Sequence, residues 1–246
     1  MRIIFSRKGF DSSAGGGPSP IVAGVPLSLP IPDSKGLSRT TYGDLGLGDH
    51  AAKASRGRIA PSNLCHHDPM FLPRKDGTGS CLFGQTGAAQ THLERQGVGV
   101  GDVFVFFGLF ADEATGEPHH RIFGYLRARE LIALVDGAPP NLVALGHPHA
   151  IGMHGSNDVI WRGEGAVARR ASDALRLTVP GGPPSLWQRP DWLKRGGLSY
   201  HDRADRWLRG NRLRSVSRGQ EFVADIGTRK APRAWLEQVI EEIKAS

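Results

Sequence analysis

The sequence predicts a single α+β domain, residues 1–246, in which strands outnumber helices. Its apolar segments have the length and composition of strands, and they do not alternate regularly with helices. The 33 glycines and 17 prolines indicate short elements joined by long loops, which excludes a helical bundle. We therefore expect a mixed or antiparallel sheet, open or partly closed, with a few short helices, a C-terminal helix and long Gly/Pro-rich loops.

The first strand is predicted in "RIIF", residues 2–5, a short buried run at the start of the chain. Residues 103–109, "VFVFFGL", form a near-continuous apolar strand, and residues 121–134 are its predicted hairpin partner. "LSLPIPD", residues 27–33, alternates like an edge strand interrupted by prolines. Further strands are expected at residues 157–163, 174–180 and 220–226.

The first convincing helix covers residues 88–96 and ends before Gly97, a natural C-terminal cap. The segment "APRAWLEQVIEEIK", residues 231–244, has proline in its first turn and places its apolar residues on one stripe. Shorter helices are expected near residues 42–47, 190–195 and 203–209.

The charge balance indicates an anionic partner, because the net charge is +7 and the pI is about 9.8. No apolar run approaches the ~20 residues of a membrane span, and no signal peptide is visible. Two cysteines do not make a disulfide framework. We expect a cytoplasmic protein with reduced thiols, no membrane contact, and DNA or a nucleotide as its partner.

Most of the excess charge lies in residues 189–218, which we name the basic segment; it contains nine basic and three acidic residues. Arginines for phosphates beside aromatic residues for bases are the composition of a nucleic-acid groove. A solvated basic face beside ordinary core tryptophans is the equal alternative. The candidate contacts to a DNA backbone are Arg203, Arg206, Arg209 and Arg214, and the aromatic neighbours are Trp187, Trp192, Tyr200 and Trp207.

A long loop of mixed charge, "SRKGFDSSAGGGPSP", follows the first strand. Its backbone amides could hold an anion, with Arg7 or Lys8 supplying charge, although no Walker motif is present. Asp11 is a candidate base or metal ligand, and Ser12 and Ser13 are candidate anion-binding residues. The alternative is a polar surface loop with a capped turn.

Histidines cluster in two segments. In "CHHDP", residues 65–69, His66 or His67 could pair with Asp68 as a base and its orienting carboxylate. In "HPH", His147 and His149 would share one face of an extended segment and could be two ligands of a metal, with a third ligand from elsewhere. Polar contacts are the alternative for both segments.

Other polar residues are candidates for nucleotide binding. The side-chain amide of Gln85 could read a base edge. Arg218 and Gln220, two residues apart at the start of a strand, could share one face and contact a phosphate and a base. The alternatives are helix capping and an ordinary polar surface for the segment around Gln85, and a rim ion pair between Arg218 and Glu221. The residues concerned are Gln85, Gln90, His92, Tyr200, His201, Arg218, Gln220 and Glu221.

Seven segments occur together in the order "IIFSRKGFDSSAGGGPSPI", "LSLPIPD", "FGQTGAAQTHLERQGVGVGDVFVFFGLF", "HPH", "SLWQRPDW", "LSYH" and "SVSRGQEFV". Over nearly the whole chain they resemble the nucleotide modification associated domain 3 family, whose members are also labelled DNA base hypermodification proteins. The resemblance implies a place in DNA base modification systems of phages or bacteria, without an established reaction, cofactor or catalytic residue. The chain is shorter than the family between residues 110 and 121. The positions matching the motifs are Arg7, Lys8, Asp11, Ser12, Gln85, Gln90, His92, His147, His149, Tyr200, His201, Arg218, Gln220 and Glu221.

The predicted function is therefore modification of bases in DNA or of their nucleotide precursors, by a transferase or a hydrolase. In that prediction Lys8 holds a phosphate or a developing negative charge, Asp11 is the base, and His201, His147 or His149 completes the site. The competing prediction is a non-catalytic module that reads modified bases, because the segment around residues 101–134 is similar to the hairpin of PUA-like barrels. A third is a structural partner of other base-modification enzymes. The sequence does not identify a cofactor.

Overall fold

The computed structural model describes residues 1–73, 79–152, 154–217 and 221–246. The strands are β1 (Arg2–Arg7), β2 (Ser19–Val22), β3 (Val25–Pro26), β4 (Ile31–Pro32), β5 (Cys65–His66), β6 (Met70–Pro73), β7 (Gly79–Gln85), β8 (Val103–Asp112), β9 (Pro118–Ala133), β10 (Val159–Val167), β11 (Leu186–Gln188), β12 (Trp207–Leu208), β13 (Arg212–Arg214) and β14 (Glu221–Asp225). The helices are α1 (Gly48–Ala54), α2 (Gly87–Arg95), α3 (Pro140–Ala144), α4 (Pro148–Ile151) and α5 (Lys230–Ala245).

Nine of these strands form one mixed sheet with the order β14-β1-β8-β9-β10-β7-β6, to which β2 and β3 are added beside β8. Strand β8 is parallel to β1 and β2, and the other pairings are antiparallel. The strand order begins at β14 and ends at β6, and over their described residues these two edge strands do not pair, so the sheet does not close into a barrel. The predicted α+β class and mixed sheet are thus confirmed, and the sheet is open. Two small sheets, β11-β13-β12 and β4-β5, lie beside it.

Strand β1 is central because its apolar side chains are buried on both faces of the sheet. Ile3 and Phe5 point to one core cluster, and Ile4 points to the opposite cluster, as the two-residue period of a strand requires. The first cluster is covered by α5 and by the chain around β11 to β13. The second is packed against α2 through Leu93.

The predicted first strand, the helix at 88–96 and the C-terminal helix are confirmed. The predicted hairpin is also confirmed, as β8 pairs with β9 from Val103↔Arg127 to Ala111↔Pro118. It lies in the middle of the open sheet, where β1 and β10 flank it, and so does not form a small separate barrel. The predicted strands at 157–163 and 220–226 correspond to β10 and β14, with residue 220 outside the described residues.

Five other predictions are wrong at least in part. Residues 42–47 form turns because Gly46 has a positive φ of 67°, and α1 begins only at Gly48. The alternating run at 174–180 buries Leu175 and Leu177 but makes only single bridges after a 3₁₀ turn. Residues 190–195 form turns, and 203–209 contain a 3₁₀ turn followed by β12. Of "LSLPIPD", only Ile31–Pro32 forms a strand.

No helix in the described part of the chain is long and apolar enough to span a bilayer.

Candidate functional site

A cleft of about 620 Å³ opens where β1 ends. Six segments of the chain meet there: the loop after β1, the loop after β4, the chain around β5, the end of β7, the chain at and after α4, and the chain before β14. The polar residues lining it are Arg7, Lys8, Asp11, Ser13, Asp33, Ser34, Lys35, His66, Asp68, Gln85, Thr86, His149, His154 and Ser217.

A buried carboxylate, Glu221, holds the wall of the cleft together. It lies opposite Ser6 in the β1–β14 pairing, and its side chain is only 1% exposed. Its Oε1 atom accepts hydrogen bonds from Ser6 Oγ (3.1 Å), Lys8 Nζ (2.9 Å) and Gln85 Nε2 (2.8 Å). The Lys8 ammonium also lies 4.3 Å from the centre of the Phe83 ring. Lys8 therefore presents a fixed and largely desolvated positive charge.

The loop after β1 is organised by Asp11. Its Oδ1 atom accepts hydrogen bonds from the Ser13 amide (2.7 Å), the Ser13 hydroxyl (2.7 Å) and the Ala14 amide (2.8 Å). The backbone amides that were expected to hold an anion are thus bound by the carboxylate of Asp11 itself. No hydrogen bond to the other oxygen, Oδ2, comes from the described residues, so this atom is available to a ligand.

Arg7 connects the end of β1 to the end of the basic segment. Its guanidinium donates to the carbonyl oxygens of Val216 (2.6 Å) and Ser217 (2.9 Å), and it lies 5.7 Å from the ring centres of both Phe107 and Phe222. Burial lowers the pKa of Arg7, and the nearby Asp11 partly opposes that shift. The main role of Arg7 is therefore to hold the rim of the cleft in place, because the donors it uses for Val216 and Ser217 are not available to a ligand.

Three histidines form a second wall. His66 comes from β5, His149 from α4 and His154 from the chain after it, and one ring nitrogen of each lies within 4.8 Å of the others. Nδ1 of His149 is hydrogen-bonded to Oδ1 of the buried Asp158, and Oδ2 of Asp158 accepts the His154 amide at 2.8 Å. Nε2 of His154 lies 3.2 Å from the carbonyl oxygen of Pro148. Burial lowers the pKa of His66 to about 4.

A second buried carboxylate, Asp68, lies behind these histidines. Oδ1 accepts the Gly84 amide at 3.0 Å and is 3.4 Å from His147 Nε2, while Oδ2 is 3.9 Å from His66 Nε2. Burial raises the pKa of Asp68, but the close contact with His147, with His149 and His66 nearby, outweighs burial and lowers that pKa overall. Asp68 is therefore an ionised group in contact with imidazoles.

The structure thus gathers Arg7, Lys8, Asp11, Ser13, Gln85 and His149 around one cleft, with Glu221 beneath them. Gln85 is not free to read a base in this arrangement, because Nε2 donates to Glu221 and Oε1 accepts the Thr86 amide. Ser12 is an exposed neighbour in the same loop. Arg218 and Gln220 lie outside the described residues.

Other predicted residues lie elsewhere. His201 is buried, with Nδ1 bound to the Ser199 carbonyl (2.8 Å) and Nε2 accepting the Val216 amide (3.3 Å). His92 Nε2 lies 3.0 Å from the hydroxyl of Ser199, and its ring packs 4.4 Å from that of Tyr200. Gln90 is buried in α2 and donates to Glu94. None of these four residues lines the cleft.

The expectation that "HPH" is extended is wrong, because His147 precedes α4 and His149 lies inside it. His147 therefore contacts Asp68, while His149 meets His66 and His154. Sequence reasoning identified neither this grouping nor Asp158. The signal for it in the sequence is that residues 147–158 contain three histidines and end in Asp158.

The tryptophans near the basic segment are structural. Trp187 is 2% exposed in the core, and Trp192 and Trp207 pack against the same cluster. The exposed aromatic residue is Tyr200, at 49%. Of the four arginines predicted to contact a DNA backbone, Arg203, Arg209 and Arg214 are exposed. Arg203 also forms an ion pair with Asp205. Arg206 is half-buried, and its guanidinium donates to the Arg214 carbonyl.

Together, the open sheet and the cleft define an α+β protein with a polar site at the end of β1, which is built from a buried lysine–glutamate pair and a group of histidines. The chain belongs to the nucleotide modification associated domain 3 family, whose model matches residues 2–225 of 246. No curated protein and no solved structure matches the chain. The family name indicates a role in nucleotide modification.

Proposed function

We propose that this protein modifies bases in DNA, or their nucleotide precursors, and that the cleft at the end of β1 is its active site. One observation carries the proposal: Lys8 and Asp11, which lie on the loop after β1, line the same cleft as His66, His149 and His154. Family membership supplies the chemical context, and the convergence of cation, carboxylate and imidazoles supplies groups for charge stabilisation and proton transfer.

Each group has a physically defined role. The Lys8 ammonium is held between Glu221 and the Phe83 ring, so it can stabilise a phosphate or a developing oxyanion without first being reoriented. Asp11 keeps Oδ1 engaged in its own turn and offers Oδ2 as the base. The histidines supply further proton-transfer groups or ligands for a metal ion.

Polymeric DNA is the substrate form that the charge distribution favours. The basic segment reaches the cleft, because Ser217 lines it and Arg7 binds the carbonyl groups of Val216 and Ser217. The exposed arginines of that segment would hold phosphates while one base enters the cleft. A free nucleotide would not need this extended surface.

The central experiment is nucleoside mass spectrometry of DNA from cells that carry the modification system with wild-type protein, Lys8→Met or Asp11→Asn. We expect a modified nucleoside that depends on the wild-type protein and is lost in both variants. Lys53→Met is the matched control, since Lys53 forms a lysine–glutamate ion pair of the same 2.9 Å length at the surface. An unchanged nucleoside profile when the protein is removed would refute the proposal, and DNA binding without modification would identify a reader instead.

The polymer component is tested by DNA affinity at several salt concentrations. Replacing three exposed arginines by alanine should weaken binding and reduce the slope of log K against log salt by about 3. A control that removes the same charge elsewhere should leave the slope nearly unchanged. The test set is Arg203, Arg209 and Arg214, and the control set is Arg129, Arg162 and Arg233. Equal effects of the two sets would remove the role given to the basic segment.

A further inference from the structure

We propose that His66, His149 and His154 bind one divalent transition-metal ion, such as Zn²⁺, in the wall of the cleft. The three residues come from two distant parts of the chain, yet their ligand atoms lie within 4.8 Å of one another. Metal binding requires no substrate, so this inference stands or falls independently of the proposed function.

On the rings of His149 and His154, one nitrogen is hydrogen-bonded and the other remains available to bind a metal ion. Asp158 engages Nδ1 of His149, which leaves Nε2 as the ligand atom, and the Pro148 carbonyl engages Nε2 of His154, which leaves Nδ1. Asp158 also accepts the His154 amide, so a single buried carboxylate positions both residues. A carboxylate behind a ligating histidine is the usual arrangement around protein metal ions, because it fixes the tautomer and orients the ring.

Space for the His149 ring is created by Gly84. A Cβ atom at residue 84 would lie 2.2 Å from Cδ2 and 2.7 Å from Nε2 of His149. The amide of Gly84 at the same time donates to Asp68. The imidazole therefore lies flat against a strand that has no side chain at that point, and it is kept at 5% exposure in a fixed place.

Charge in this region also suits a cation. Asp68 and Asp158 are buried carboxylates, and their ion-pair partners in the described part of the chain are histidines, without a lysine or an arginine. Two buried negative charges beside three imidazoles would be compensated by one divalent ion. Three imidazole ligands suit Zn²⁺ and its neighbours, and they leave coordination positions for water or substrate on the cleft side.

Binding requires a small contraction. Nitrogen ligands of tetrahedral zinc lie about 3.3 Å apart, given Zn–N bonds of about 2.0–2.1 Å. His154 follows α4 and is only partly buried, so its ring has room to move toward the buried His149.

The test is titration of chelator-stripped, DNA-free protein with Zn²⁺ and with Co²⁺, using a chromophoric chelator as competitor and the Co²⁺ absorption bands as a second readout. We expect one ion per chain and a loss of about 100-fold or more in affinity for His66→Ala and His154→Ala. Asp158→Asn should weaken binding by about 10–100-fold and alter the Co²⁺ spectrum. His50→Ala removes a histidine outside the cleft and should bind as wild type does.

Thermal unfolding of the stripped variants separates loss of a ligand from loss of the fold. His154→Ala should unfold at the same temperature as stripped wild type and lose only the stabilisation that metal adds. The proposal is overturned if stripped wild-type protein binds none of Zn²⁺, Co²⁺, Ni²⁺, Fe²⁺ or Mn²⁺ stoichiometrically. It is equally overturned if His154→Ala and His50→Ala bind the metal with the same affinity.

Discussion

Two lysine–glutamate ion pairs of equal length allow burial to be tested as the variable. Lys8–Glu221 and Lys53–Glu113 both have an N–O distance of 2.9 Å. The side chains of the first pair are 11% and 1% exposed, whereas those of the second are 74% and 33% exposed. Any difference in their contribution to stability therefore comes from solvation and neighbouring groups, since the charge separation is the same.

The expected magnitudes follow from the two environments. Unit charges 2.9 Å apart attract by about 1.4 kcal/mol in bulk water and by about 6 kcal/mol at an effective dielectric constant near 20. Removing one partner of the buried pair leaves the other charge desolvated, which costs about 3–5 kcal/mol. Glu221 would still accept bonds from Ser6 and Gln85 after loss of Lys8, so we expect Lys8→Met at the lower end. The exposed pair should contribute about 0.2–1 kcal/mol.

The measurement is a pair of double-mutant cycles followed by urea unfolding. The first uses Lys8→Met, Glu221→Gln and their combination, and the second uses Lys53→Met, Glu113→Gln and theirs. In the buried cycle the double variant should be less destabilised than the sum of the single variants by at least about 2 kcal/mol. Coupling energies that agree within about 0.5 kcal/mol in the two cycles would refute the argument that Lys8 is held as a desolvated charge.

Three further outcomes are expected. Gly84→Ala should destabilise the fold by about 1–3 kcal/mol because its Cβ meets the His149 ring, whereas Gly99→Ala, with open space around residue 99, should not; equal denaturation midpoints would contradict this. His120 accepts a hydrogen bond from Trp187 Nε1, and burial with Arg7 nearby lowers its pKa to about 3. Below about pH 6.5 His120 therefore binds a proton in the unfolded chain but not in the folded chain, so the stability of the fold decreases as the pH is lowered. His120→Asn should reduce the loss of stability between pH 7 and pH 4.5 by about 2–3 kcal/mol. Burial raises the pKa of Cys65 to about 12, so a thiol reagent at pH 8 should label it only after unfolding, and rapid labelling of native protein would contradict its burial.

The parts of the fold that could be predicted are those with strong local periodicity. The apolar run of β8, the hairpin to β9 and the stripe of α5 each bury one repeating pattern, so the sequence period identifies them directly. The errors fall where glycine or proline interrupts the pattern. Residues 42–47 look helical by composition but contain Gly43 and Gly46, and "LSLPIPD" keeps only two residues in a strand.

Only part of the candidate site could be predicted from the sequence. Lys8 and Asp11 were identifiable because they are charged residues in the loop that follows a buried strand. The histidine cluster was not, because its members are brought together by tertiary packing between β5 and the chain around α4. No spacing rule relates residue 66 to residue 149, and the carboxylate that orients the second ring, Asp158, is hydrogen-bonded in a geometry that only the fold defines.

The loop after β1 connects the two walls of the cleft. Its first residue continues the strand, since the Lys8 amide donates to the Phe107 carbonyl at 2.8 Å, which makes the lysine as rigid as the sheet. Phe10 then enters a small core with Tyr42 and Cys65 and is fully buried. Adjacent residues of a strand point to opposite faces, so the same core that holds Cys65 directs His66 toward the cleft. A change at Phe10 would therefore be transmitted to both walls, and the loop serves as the structural connection that keeps the lysine and the first histidine in fixed relation.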